Sequence, residues 1–305
     1  MAISSFPNGF ASGVTVRGIP LLTAYPNKIY WVDSTTGSNG NKGTDTRPFA
    51  TIDYAIGRCT ANKGDIIVVK PGHTETVSTA AGIDLDVAGV AVVGLGVGSL
   101  RPTINISATG GFVDFSAPNC LLKNVLITGG IDAVVKAVLI DAADSTMDGV
   151  EIRDVTGEVT EGVLTTANAV RAKILNHIHN GAAGAGTNAA IAIVGGSGIE
   201  ITIDRMDGNF AVGGINVKTT ATTDLYVHDV LYFRTRNAAD IFLVDTITAS
   251  TGQIGPNIYL RLQDNAANIT EACTGATFVY HQPISIVNNA GEVGMQTNIT
   301  ASTDA

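Results

Sequence analysis

A short apolar strand signal returns along this chain at one loose interval, and it constrains the fold more than any other feature. It runs through residues 119–127 (NCLLKNVLI), 145–152 (STMDGVEI), 197–203 (SGIEITI), 223–227 (TDLYV) and 257–262 (NIYLRL). With Leu122, Met147, Val170, Ile199, Leu225 and Ile258 as anchors, the steps are 25, 23, 29, 26 and 33 residues. Apolar residues alternate within each signal. A repeat of that length, too short to bury a core alone, is the signature of a solenoid whose units bury apolar side chains against their neighbours. Function on such a scaffold must sit on a lateral face or at an end.

Composition agrees with many short strands. The 305 residues are 45% hydrophobic, 15% charged and 6% aromatic, with 35 glycines, and the apolar part is carried by Ala, Val, Ile and Leu. That mix suits strands joined by tight turns. A net charge of −9 and a pI near 4.9 oppose a basic patch for phosphate backbones, so nucleic acid is not expected as a partner. Cys59, Cys120 and Cys273 are an odd, widely spaced set without a CxxC pair. They read as reduced and buried, as in a protein made in a reducing cytosol. No segment has the ~18 uninterrupted apolar residues of a membrane span, and the start lacks the pattern of a secretory leader. The expectation is a soluble chain.

Four regions follow. Residues 1–28 read as an extended arm, with Phe6, Pro7, Phe10, Val14, Val16, Ile19, Leu21 and Leu22 as apolar anchors among Gly and Pro, and no helical period. Such an arm buries its apolar groups only against its own domain or a partner. Residues 29–77 hold a strand, Ile29–Asp33, a Gly/Asn/Ser loop, and a helix candidate in which Phe49, Ile52, Ile56 and Cys59 recur at helical spacing behind Pro48. A second strand, Ile66–Val69, stops at Pro71-Gly72. Residues 78–280 read as stacked coils with inward aliphatics such as Ile199, Ile201 and Ile203. Residues 281–305 read as a polar tail.

The block from 29 to 77 resembles the N-terminal cap of right-handed parallel β-helix proteins. Val32-Asp33, the Gly40–Thr44 loop, the run Pro48-Phe49-Ala50-Thr51-Ile52-Asp53-Tyr54-Ala55-Ile56, Gly64-Asp65-Ile66-Ile67-Val68-Val69 and Pro71-Gly72 occur in the order of that pattern. A helix laid across the first coil has a physical reason: that coil otherwise leaves its core open. Together with the segment Phe6–Gly18, the cap looks like that of phage-associated β-helix proteins. The resemblance implies an all-β, right-handed parallel β-helix with an N-terminal arm and one capping α-helix, commonly a trimer, on a virion.

Three constellations bear on chemistry. Val92–Gly98 superficially resembles a dinucleotide loop, but its third glycine is misplaced and Arg101-Pro102 stands where a helix should begin; it reads as a solenoid turn. Gly37–Gly43 lacks the ending of a phosphate loop. Asp141, Asp144, Asp148, Glu151, Asp154, Glu158 and Glu161 gather in one stretch. Carboxylates across coils ~4.8 Å apart could hold Ca²⁺ or act as an acid/base pair, and the plainer reading is solvated turn residues. His177-Ile178-His179 would place two imidazoles on one face of a strand, where a three-fold axis could assemble a metal site; a His-x-His pair is common by chance and no other ligand is near in sequence, so the expectation is no metal, with His177 and His179 as the candidates against it. No catalytic set can be singled out, and no cofactor is expected. One Trp and seven Tyr are few for a carbohydrate groove.

The resemblance therefore leads to an expectation of a non-enzymatic bacteriophage structural protein. In that expectation a homotrimeric capsid decoration protein binds the major capsid protein on the outer capsid surface, after assembly in the host cytoplasm. The alternative is a tail-spike or receptor-binding protein that recognises, and in some cases cleaves, host-surface polysaccharide.

Overall fold

The computed structural model describes residues 28–154, 159–181, 187–235, 241–261, 271–273, 276–281, 284–287 and 293–295, with backbone pieces at Thr15–Val16 and Ile19–Pro20. The expected parallel β-helix is the fold the chain takes. Each coil has three facets. One coil runs through Leu121–Lys123, Leu126–Gly129 and Val134–Ile140, and the next through Thr146–Asp148, Glu151–Asp154 and Val159–Thr165. Pairing between them is parallel on every facet, with Leu122 opposite Met147, Ile127 opposite Ile152, and Val138 opposite Val163. The third facet is an eight-stranded parallel sheet. The first two merge where Lys173–Gly181, Glu200–Gly208 and Leu225–Thr235 run through the corner as continuous strands.

Hydrogen-bond register corrects the repeat. The true inward row on the first facet is Ile67, Val92, Leu122, Met147, Ile174, Ile201, Val227 and Ile254. From Leu122 onward its steps are 25, 27, 27, 26 and 27 residues. Leu122 and Met147 were sound anchors. Val170, Ile199 and Leu225 precede the row, and Ile258 belongs to the second facet, opposite Val230. Alternation within a strand offers several equivalent anchors per coil, and only the ladder distinguishes them.

One corner is built from residues in the left-handed region: Asn119 (φ 62), Asp144 (φ 58), Arg171 (φ 56), Gly198 (φ 63) and Asp224 (φ 55). The amide of Asp144 donates to Val170 O (2.9 Å), that of Arg171 to Ser197 O (2.7 Å) and that of Gly198 to Thr223 O (2.8 Å), so the turn repeats one coil on. Gly, Asn and Asp tolerate this backbone best, which explains the recurrent punctuation. The Val92–Gly98 turn is tight for a related reason. A Cβ on Gly94 would stand 2.3 Å from Asn124 O of the next coil.

The capping helix is Ile52–Ile56, shorter than its sequence pattern suggested. The Thr51 hydroxyl accepts from Tyr54 N (3.4 Å), and Glu75 Oε2 takes the Ile52 amide (2.9 Å), so two orphan donors of the first turn are satisfied. Ile52, Ala55 and Ile56 are buried. Phe49 is buried before the helix, against Tyr30 and Tyr54, and half-buried Cys59 lies beyond it. Cys120 and Cys273 are buried thiols, as expected. In the arm, Thr15–Val16 pairs antiparallel with Ile19–Pro20 in a sheet of its own. Phe6, Pro7, Phe10, Val14, Leu21 and Leu22 lie outside the described residues, as does most of 281–305.

Candidate functional site

On a β-helix facet alternate residues point outward. The second facet therefore presents one outward row, a residue per coil: Thr76, Asn105, Thr128, Arg153, Asn180, Asp207, Arg234 and Arg261. Two positions earlier in each strand lie Glu151, Arg205, Tyr232 and Tyr259, on the same side of the sheet.

From Glu151 to Arg234 these residues form a connected network. Glu151 pairs with Arg101 from an earlier coil, and its Oε1 accepts from Arg153 Nε (2.9 Å) and from Asn180 Nδ2 (2.9 Å). Asn180 Oδ1 accepts from Arg205 Nε (3.0 Å). Arg205 Nη2 reaches Asp207 Oδ2 at 3.0 Å, and Arg234 Nη1 approaches the same oxygen at 3.8 Å. The Arg205 guanidinium lies 4.6 Å from the Tyr232 ring centroid, within cation–π range. Arg261 continues the row and has no ion pair among the described residues.

The network is layered by depth. The Glu151 and Asp207 side chains are 5% and 2% exposed, whereas those of Arg153, Arg205 and Arg234 are 41%, 45% and 40% exposed. The carboxylates sit beneath the guanidiniums and orient them. Arg101 is itself mostly buried, and desolvation beside Arg153 lowers its pKa. Among the described residues of this facet from Glu151 onward and their partner Arg101, five guanidiniums stand with four carboxylates, Glu151, Asp154, the exposed Asp204 and Asp207, in a chain whose total charge is −9. A positively charged, aromatic-edged strip runs along an acidic molecule.

The acidic stretch does not converge on one site. Asp141 pairs with Thr166 and Asn168, Asp144 with Arg171, Asp148 with Lys123 and Asn176, and Glu161 with Lys218. Asp154 is fully buried and accepts from Thr187 Oγ1 (2.6 Å). The solvated-surface reading is therefore corrected for Glu151, Asp154 and Glu161, all buried. Glu158 lies outside the described residues. Among the described residues no three His, Cys, Asp or Glu side chains could hold a metal ion.

His177 and His179 do share a face of their strand, but it is the inner one. His177 is opposite Ile203, and His179 lies between Ile152 and Met206. Both are fully buried in a single chain's core, so neither can reach a symmetry axis. Among the described residues neither ring nitrogen of His179 meets a hydrogen-bond partner, and its ring packs 5.5 Å from that of Phe210. Burial pushes His177 down to about 3 and His179 down to about 4.

Sequence reading missed Arg101, Arg153, Arg205, Arg234, Arg261, Tyr232 and Tyr259. A signal was present: Arg153, Asn180, Asp207, Arg234 and Arg261 are each 27 residues apart. Only a correct register reveals it.

No family model and no curated protein matches the chain. Among solved structures it is similar to a rhamnogalacturonan lyase, at 13% identity and a TM-score of 0.46, over 77% of this chain and 73% of that one. It is also similar to a GH136 lacto-N-biosidase from Eubacterium ramulus, at 11% identity and a TM-score of 0.41, over 85% and 67%. Both are enzymes, and the expectation of a non-enzymatic chain is withdrawn on that finding. What the chain shares with them is the parallel β-helix fold.

Proposed function

We propose that this protein is a β-helix rod that recognises polysaccharide along its second facet. The observation that carries the reading is the outward strip of Arg153, Arg205, Arg234 and Arg261 across the stacked coils, with Tyr232 and Tyr259 on the same side of the sheet. Sugars are bound by planar hydrogen-bond donors and by flat apolar rings, and this strip supplies both on a rigid scaffold. It crosses successive coils ~4.8 Å apart, so a polymer lying along the axis meets a new set of groups at each step. Many weak contacts then add through avidity.

The test is binding of the purified chain to a panel of bacterial and plant polysaccharides, with reducing-end release followed in the same incubations. At least one polymer is expected to bind, and the Arg205→Ala/Arg234→Ala pair to weaken it tenfold or more. Binding unchanged in that variant would reject this facet as the site.

A second reading places the protein on a phage particle as a trimeric capsid decoration protein, bound to the major capsid protein through its arm. One observation favours it: among the described strands Thr15–Val16 and Ile19–Pro20 form a two-stranded sheet apart from the two sheets of the solenoid, as an arm would. Sedimentation with undecorated capsids tests this reading, which expects saturable binding in multiples of three.

A further inference from the structure

We infer that the polymer taken by the second facet is anionic, a polysaccharide bearing uronate, sulfate or sialate groups, and that its charges seat over Arg205, Arg234 and Arg261. This rests on the polysaccharide reading above and narrows it to a charge class.

Three features carry it. The first is the depth ordering. Asp207 and Glu151 are almost wholly covered, with their charge engaged by Arg205, Arg153 and Arg101, and the more exposed partners in these pairs are the guanidiniums of Arg153 and Arg205. The second is unused donor capacity. A guanidinium carries five N–H donors in a plane that matches a carboxylate or sulfate edge. Arg205 directs Nε to Asn180 and Nη2 to Asp207. Arg234 has a contact to Asp207 at 3.8 Å, beyond hydrogen-bond length. The exposed Arg261 side chain has no ion pair or hydrogen bond among the described residues.

The third feature is spacing. Asp207, Arg234 and Arg261 stand on successive coils in register, so Arg234 and Arg261 repeat at about the 4.8 Å inter-strand distance. That is close to the advance of one sugar unit, so charges on consecutive sugars can each find a guanidinium. Tyr259 is 47% exposed and Tyr232 half-buried; they stand two positions before Arg261 and Arg234 in their strands, and the Tyr232 ring already lies against the Arg205 guanidinium. A neutral glycan could accept from these donors but would leave their positive charge uncompensated, whereas an anionic one pairs with it through charge-assisted hydrogen bonds. A free polyanion would have no use for the rings.

The experiment uses the full chain and measures its binding to alginate, polygalacturonate, chondroitin sulfate and polysialate oligomers. Each is compared with its carboxyl-reduced or desulfated counterpart, and polyglutamate serves as a polyanion without sugar. At least one acidic oligomer is expected to bind, to lose tenfold or more on neutralisation of its charge, and to weaken steeply between low and physiological salt. Arg234→Ala and Arg261→Ala should each weaken it three- to tenfold and flatten the salt dependence. Tyr259→Ala should weaken the acidic oligomer but leave residual binding of polyglutamate unchanged. Lys123→Ala, on the first facet, should change nothing, and melting curves confirm folding of each variant. Equal binding of a neutralised counterpart would overturn the inference while leaving the polysaccharide reading in place. Equal binding of polyglutamate, or no binding of any acidic oligomer, would also overturn it.

Discussion

Replacing Ile201 with aspartate is expected to destabilise the fold by more than about 4 kcal/mol, because an unpaired carboxylate would be enclosed in an apolar row. Ile201 is fully buried, between Ile174 of the preceding coil and Val227 of the next. No cation lies in that row to compensate the charge. For a chain of this size the loss corresponds to a fall in Tm on the order of 10 °C. The neighbouring Thr202 is outward and half-buried, and Thr202→Asp should stay within about 0.5 kcal/mol of the parent. Thermal unfolding of the two variants checks the register directly. If both melted like the parent, Ile201 would not be a core residue of the stack.

Acid should loosen the core through His177 and His179. The sign follows from the direction of their shifts. Burial holds both folded-state values, about 3 and about 4, below the ordinary histidine value of 6.5. Below pH 6.5 the unfolded chain therefore takes up protons that the folded chain refuses, and stability falls as pH falls. The loss grows until the folded-state values are passed. At pH 5 the two rings together should remove on the order of 4 kcal/mol relative to pH 7.5. The charged groups facing His179 are Asp154 and Asp207, whose attraction offsets part of the desolvation, and His177 faces His179 itself. Asp114 acts in the opposite sense, since desolvation raises its pKa to about 6 and its protonation favours the folded state in acid. A His177→Leu/His179→Met variant isolates the rings, because Asp114 is common to both proteins. Denaturant unfolding at pH 7.5 and pH 5 should show the parent losing several kcal/mol more than the variant. Equal losses would mean the imidazoles do not govern acid stability.

The fold was legible because its signals are local and repeated. Alternating aliphatics, Gly, Asn or Asp at most of the left-handed corner positions and the Pro48–Ile56 cap run each reflect a constraint that acts within one coil. The helix was read too long, since Phe49 and Cys59 are apolar for packing reasons that a helical period also satisfies. The binding strip was not legible, for a physical reason. Arg153, Arg205, Arg234 and Arg261 are brought together by ladder register, and anchors such as Val170 and Ile258 put the coils out of step by several residues. A one-residue slip sends a row to the opposite face. The same error made His177 and His179 look like surface ligands, whereas strand parity turns them inward. The acidic stretch misled differently. Neighbours in sequence there lie on different facets, and each described carboxylate finds its own cation or hydroxyl.

The central claim is that the second facet engages polysaccharide, and amide hydrogen exchange with and without the tightest-binding polymer tests it most directly. The account predicts slowed exchange in Arg205–Gly208, 230–235 and Ile258–Arg261, with no change on the third facet at Ala189–Ile193 and Gly213–Val217. Protection confined to the third facet, or to the capping end around Ile52–Ile56, would contradict it.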